Sequence, residues 1–96
     1  MPATIIHAVA EIDAVTSPQL REDIREEIAA NPGTVVVVDM GAVEFIDSTG
    51  LGVLVGALKR ARLQGGDLAL VNVQPMVMRI FTVTGLHKVF AAPVNG

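Results

Sequence analysis

Ser48 stands between an acid and a run of small residues, in Asp47-Ser48-Thr49-Gly50-Leu51-Gly52. The stretch follows the most apolar strand-like run, Val35-Val36-Val37-Val38, and opens the longest helix-like run, 51–64. A strand, a short loop and a helix start put the Ser48 hydroxyl at a helix N-terminus. Unsatisfied backbone N–H groups and the positive end of the helix dipole meet there. Asp47 or Ser48 serves as the N-cap. A hydroxyl in that place has two ordinary roles: it caps the helix, or it is a regulated site. A phosphate added to it would meet amide donors and a favourable dipole.

Other chemistry finds less support. Ser48, Asp67 and His87 follow the Ser…Asp…His order of hydrolases with a nucleophile elbow, but Ile46 stands where the elbow needs its first Gly. No G-x-x-x-x-G-K-[ST] run is present to cradle a nucleotide's phosphates. His7 and His87 lie far apart without metal-ligand spacing, and His7 reads as a polar residue at a partly solvated position. With no Cys there is neither thiol chemistry nor a Cys-based zinc site. Neither enzymatic activity nor a cofactor is expected.

The 96 residues suffice for one core, so residues 1–96 are expected to form a single domain. At 51% hydrophobic the chain suits a globular fold rather than disorder. A formal net charge of −3, with few basic residues and no aromatics between them, argues against a nucleic-acid partner. No secretory leader or membrane-spanning run is recognisable, which implies a cytoplasmic domain.

The elements that must position Ser48 follow in order. Residues 4–12 read as a strand, with Ile5, Ile6, Val9 and Ile12 apolar, and Asp13 ends it. Thr16 and Gln19 have capping-box spacing, Val15 and Leu20 have hydrophobic-staple spacing, and Pro18 falls in the first turn. Leu20, Ile24 and Ile28 then mark one face of an amphipathic helix that Asn31-Pro32-Gly33 stops. The four valines predict a strand buried on both faces. Residues 39–46 form a connecting loop in which Phe45 and Ile46 anchor to the core. In the next helix Leu51, Leu54, Leu58 and Ala61 form the buried stripe, and Lys59, Arg60 and Arg62 complement the dipole. Gly52 and Gly56, each costing about 1 kcal/mol relative to Ala, suggest close approach of this helix to the sheet. Gly65-Gly66 ends it. A strand over 67–73, a short helix over 76–83 with Val77, Ile80 and Phe81 inward, a Gly85 C-cap, and a last strand at Val89-Phe90 complete the series. Such alternation implies an α/β fold with a mostly parallel or mixed sheet of about four strands and right-handed crossovers.

Three stretches together resemble the STAS family, and within it the bacterial anti-sigma factor antagonists. Ala10-Glu11-Ile12-Asp13, followed by Thr16 and Pro18, is similar to the family's G-E-[IL]-D strand end and helix start. Phe45-Ile46-Asp47-Ser48-Thr49-Gly50-Leu51-Gly52 resembles its D-S-[ST]-G-L-G signature. Residues 65–72 and then Thr84-Gly85-Leu86 are similar to its G-G-x-L-x-L strand and [TS]-G-L turn.

The resemblance implies a STAS-type domain that binds an anti-sigma factor with Ser/Thr kinase activity and so releases a sigma factor. The kinase would phosphorylate Ser48 and end binding; a phosphatase acting on phospho-Ser48 would restore it. Asp13, Thr16, Asp47, Ser48, Thr49 and Gly50 are the implied partner-binding residues. Ala10 replaces the family's usual Gly. The family's usual N-terminal strand and C-terminal helix have no counterpart, which would leave apolar surface for a homodimer. Rival readings are a STAS module binding a nucleotide or lipid at the same helix N-terminus, or a subunit of a larger stress-signalling assembly.

Overall fold

The computed structural model describes residues 4–90. The tail expected after Phe90 lies outside them, as do any elements beyond either end. Among the described residues five short strands and three α-helices follow in the order β-β-α-β-β-α-β-α, and every strand pairing is parallel. Strands β1 (Thr4–His7), β3 (Val35–Asp39) and β5 (Asp67–Val71) form one parallel sheet in the order β1-β3-β5. Strands β2 (Glu11–Ile12) and β4 (Phe45–Ile46) form a second parallel pair, with Ile12 opposite Ile46. The helices are α1 (Ser17–Ala30), α2 (Ser48–Leu63) and α3 (Pro75–Thr84), and a 3-10 turn covers Leu86–Lys88.

The first strand therefore divides where one continuous strand was expected. The Ala8 amide still bonds the Asp39 carbonyl at the end of the large sheet. The Ala10 carbonyl turns instead to the Glu44 and Phe45 amides, 2.7 and 3.3 Å away. The chain thus changes partner between His7 and Glu11, although its apolar run continues through the break. Val9 is exposed as a result.

In register, Val36 lies beside Leu68 and Val38 beside Leu70, and all four are buried on the face covered by helices. The opposite face is only partly covered: Val35 and Ile5 are 41% and 59% exposed. The expected burial of the four valines on both faces holds for one face only.

Helix α1 buries Leu20, Ile24 and Ile28, as their spacing requires. Of its expected start devices Pro18 does fall in the first turn, but the capping box and the hydrophobic staple do not form. The Thr16 hydroxyl is engaged with Glu11 and Asp13 rather than with the first turn, and Val15 is 87% exposed, so no staple closes on Leu20. Helix α2 begins three residues earlier than the apolar stripe suggests, and buries Leu54, Ala57, Leu58 and Ala61. Gly52 and Gly56 do not face the sheet: both are exposed, and a Cβ on either would touch nothing within 4 Å. Helix α3 buries Val77 and Phe81 and ends on Gly85, whose φ of 75° lies in the left-handed region that glycine enters without penalty. Val89-Phe90 is not a strand; the Phe90 ring packs edge-on against Phe81, centroids 6.1 Å apart. No helix among the described residues is long and apolar enough to cross a membrane.

Candidate functional site

The β2–β4 pair builds the site. Parallel pairing of Ile12 with Ile46 brings the two strand ends side by side, and the residue after each is an aspartate. Both isoleucines are buried. The Asp47 amide then donates to the Ile12 carbonyl at 3.1 Å, one further step of the same ladder. Asp13 and Asp47 therefore leave adjacent strands at neighbouring points.

Each aspartate organises the turn after it. Asp47 is the N-cap of α2 in extended conformation, and its Oδ1 accepts from the Gly50 amide at 2.9 Å. Of the two N-cap candidates in the sequence, Asp47 takes the role and Ser48 becomes the first helical residue. Asp13 Oδ1 accepts from the Val15 and Thr16 amides at 2.9 and 3.0 Å. The Thr16 hydroxyl donates to the Glu11 carbonyl at 2.6 Å and accepts from the Asp13 amide at 3.1 Å. Hydrogen bonds from the Thr16 amide, then the Val15 amide, hold the Asp13 carboxyl below its ordinary value of 3.8.

Ser48 and Thr49 are both exposed. Asp47 takes the amide of Gly50 with its side chain and that of Leu51 with its carbonyl. Among the described residues nothing accepts from the amides of Ser48 and Thr49. The Ser48 hydroxyl thus projects at a helix start that retains free donors.

Gly50 fixes the position of that start. It is buried, and a Cβ there would lie 2.6 Å from the Ile12 carbonyl oxygen and 2.9 Å from Ile46 Cγ1. Only a residue without a side chain lets the first turn of α2 sit on the ends of β2 and β4. All six residues singled out in the sequence are thereby gathered on the β2–β4 framework. Nothing in the sequence signals that the Ile12 carbonyl ties the two halves together, or that the Glu11 carbonyl holds the Thr16 hydroxyl within the first of them. Phe45, expected to anchor in the core, is 50% exposed beside the site, on the face of the pair that Ile46 does not share.

The hydrolase arrangement does not assemble. Asp67 pairs with Arg62 at 3.5 Å and accepts from the Leu68 amide. His87 Nδ1 lies 3.3 Å from the Phe81 carbonyl. No hydrogen bond joins either residue to Ser48 among the described residues. No cluster of three metal-ligating side chains occurs among them either.

Comparison with known proteins agrees with this geometry. The STAS domain family model matches residues 2–95. The chain is 38% identical over 84 residues to the anti-sigma-B factor antagonist of Listeria monocytogenes, covering 88% of this chain and 73% of that one. The crystal structure of an anti-sigma factor antagonist from Mycobacterium paratuberculosis superposes with a TM-score of 0.80 at 32% identity, over 95% of this chain and 76% of that one. The Bacillus cell fate determinant SpoIIAA in its phosphorylated form superposes with a TM-score of 0.69 at 25% identity, over 88% of this chain and 76% of that one.

Proposed function

Because the chain belongs to the STAS domain family, we propose that it is an anti-sigma factor antagonist, a regulator rather than an enzyme, switched by phosphorylation of Ser48. In this reading residues 1–96 act as one STAS domain in the cytoplasm. The partner is an anti-sigma factor with Ser/Thr kinase activity, whose capture frees a sigma factor. A phosphatase acting on phospho-Ser48 resets the protein.

One observation carries the proposal. Ser48 is exposed as the first residue of α2, beside a cap that Asp47 already supplies. Modification of its hydroxyl therefore removes no hydrogen bond that holds the helix. A phosphate adds a charge of about −1.5 to −2 at pH 7. The free Ser48 and Thr49 amides and the dipole favour it in the unbound protein. The cost appears on binding. A partner surface shaped for a small neutral hydroxyl would have to desolvate a dianion, and an unpaired buried charge costs several kcal/mol. That converts to orders of magnitude in affinity. SpoIIAA, solved in unphosphorylated and phosphorylated forms, keeps a fold similar to this chain in both, with TM-scores of 0.75 and 0.69. This supports a switch that acts at an interface rather than by unfolding.

The test is co-purification of the partner from the source cell on the Ser48→Ala chain, followed by phosphate mapping on the unaltered chain with that partner and ATP. Phosphate on Ser48, with loss of the complex, is the expected result. Phosphate confined to another residue, or a complex indifferent to ATP, would overturn the reading.

A further inference from the structure

A groove of about 320 Å³ runs between α1 and α2. Gly52 and Gly56 lie along its α2 side. Glycine inside a helix is less favourable than alanine, and no contact among the described residues requires either one, since a Cβ would meet open space. Ile24 and Ile28 of α1 give the groove an apolar wall. Around it stand Arg21, Arg25 and Arg60, three of the seven basic residues of a chain with net charge −3. Among the described residues none of the three is in an ion pair.

The groove is continuous with the switch. Thr49, the neighbour of Ser48, lines its end. From there positions 49, 53, 56 and 60 follow one face of α2. At 1.5 Å per residue, Ser48 to Arg60 spans about 18 Å, the length of about 12 residues of helix.

We propose that this groove is a second contact for the anti-sigma factor, receiving an amphipathic segment of that protein that carries carboxylates between apolar side chains. The inference rests on the functional reading above. Apolar side chains of the segment meet Ile24 and Ile28, its carboxylates meet the three guanidinium groups, and the glycines admit its backbone closely. The arginines also steer encounter, so association depends on salt. Phosphorylation at Ser48 then acts at one end of a longer interface and leaves the groove unchanged.

The experiment titrates the co-purified anti-sigma factor against four forms of the full chain: unaltered, Gly56→Leu, Arg25→Gln with Arg60→Gln, and Ser48→Glu. Melts of each form are recorded alongside. Gly56→Leu fills open space and is expected to melt no lower than the unaltered chain, yet to bind at least about tenfold more weakly. The double arginine variant is expected to bind more weakly and with a flatter salt dependence. If both groove variants bind as tightly as the unaltered chain while Ser48→Glu does not, the groove proposal fails and the switch stands. If Gly56→Leu proves unfolded, the arginine variant decides, and unchanged affinity with an unchanged salt dependence overturns the proposal. Failure of the unaltered chain to bind at all overturns the functional reading and the groove with it.

Discussion

The Asp47 amide donates to the Ile12 carbonyl at 3.1 Å, and Gly50, three residues on, lies against the same carbonyl. One backbone oxygen of β2 thus positions both the cap and the first turn of the helix that presents Ser48. Gly50→Ala should destabilise the chain by about 1–3 kcal/mol, because the new Cβ meets backbone that cannot swing aside. Gly52→Ala and Gly56→Ala, in open space, should each stabilise it by about 1 kcal/mol. Denaturant titration of the three variants checks the contrast, and an equal response at all three positions would contradict it.

At Asp47 the cap and the charge separate. Asp47→Asn keeps an oxygen for the Gly50 amide and should change stability by only a few tenths of a kcal/mol, whereas Asp47→Ala should cost about 1 kcal/mol. For a domain of this size 1 kcal/mol corresponds to roughly 4–8 °C in Tm. Thermal melts that rank Asn with Ala would show that the charge, not the hydrogen bond, holds the helix start.

Acid should loosen the turn at Asp13. Its folded pKa lies below the ordinary value of 3.8, chiefly through the Thr16 and then the Val15 amide. A depressed carboxyl contributes stability that is present above the unfolded value and is lost as pH falls through the folded one. Asp39, held low by the Gly41 amide and then the Asn72 side chain, acts in the same sense. Asp13→Asn should therefore flatten the stability profile below pH 3.8 and leave its neutral limb parallel to the unaltered chain's. Stability measured by denaturant at a series of acid pH values tests this, and an unchanged acid slope would refute it.

Ile5 and Val35 share the open face of the large sheet with substantial exposure. Self-association through that face is the expected consequence, and sedimentation should show a concentration-dependent mass that Ile5→Lys abolishes. A monomer at every concentration would count against it.

How far the sequence could be read depended on whether a pattern had one physical cause. Leu20, Ile24 and Ile28 could only be a buried helix stripe, and they are. Asp-Ser-Thr-Gly after a strand could only start a helix, and Asp47 starts it. Thr16 was ambiguous because a hydroxyl serves a helix amide or a strand carbonyl equally well, and the Glu11 carbonyl won. The strand break after His7 left no mark, since partner exchange depends on where residues 39–45 run rather than on local composition. The glycines at 52 and 56 were read as close approach to the sheet, but both are exposed with open space around them, since their spacing does not say which face of the helix is buried. The six residues named through the family resemblance stand together on the β2–β4 framework, a geometry that their separation in sequence does not display. That Arg21 and Arg25 line a groove with Arg60 was not legible, because they belong to a charge run that reads as an ordinary solvated face.

In the proposed switch Ser48 governs binding without governing the fold. Its most direct test is titration of the anti-sigma factor against Ser48→Ala and Ser48→Glu, with melts of both. Ser48→Ala should bind like the unmodified chain and take up no phosphate at that position. Ser48→Glu should melt at nearly the same temperature, because an anion suits a helix N-terminus, and should bind at least about tenfold more weakly, because the interface must bury a charge. Equal affinity of Ser48→Glu and the unmodified chain would reduce Ser48 to an exposed residue of a helix that Asp47 alone caps, and would contradict the switch.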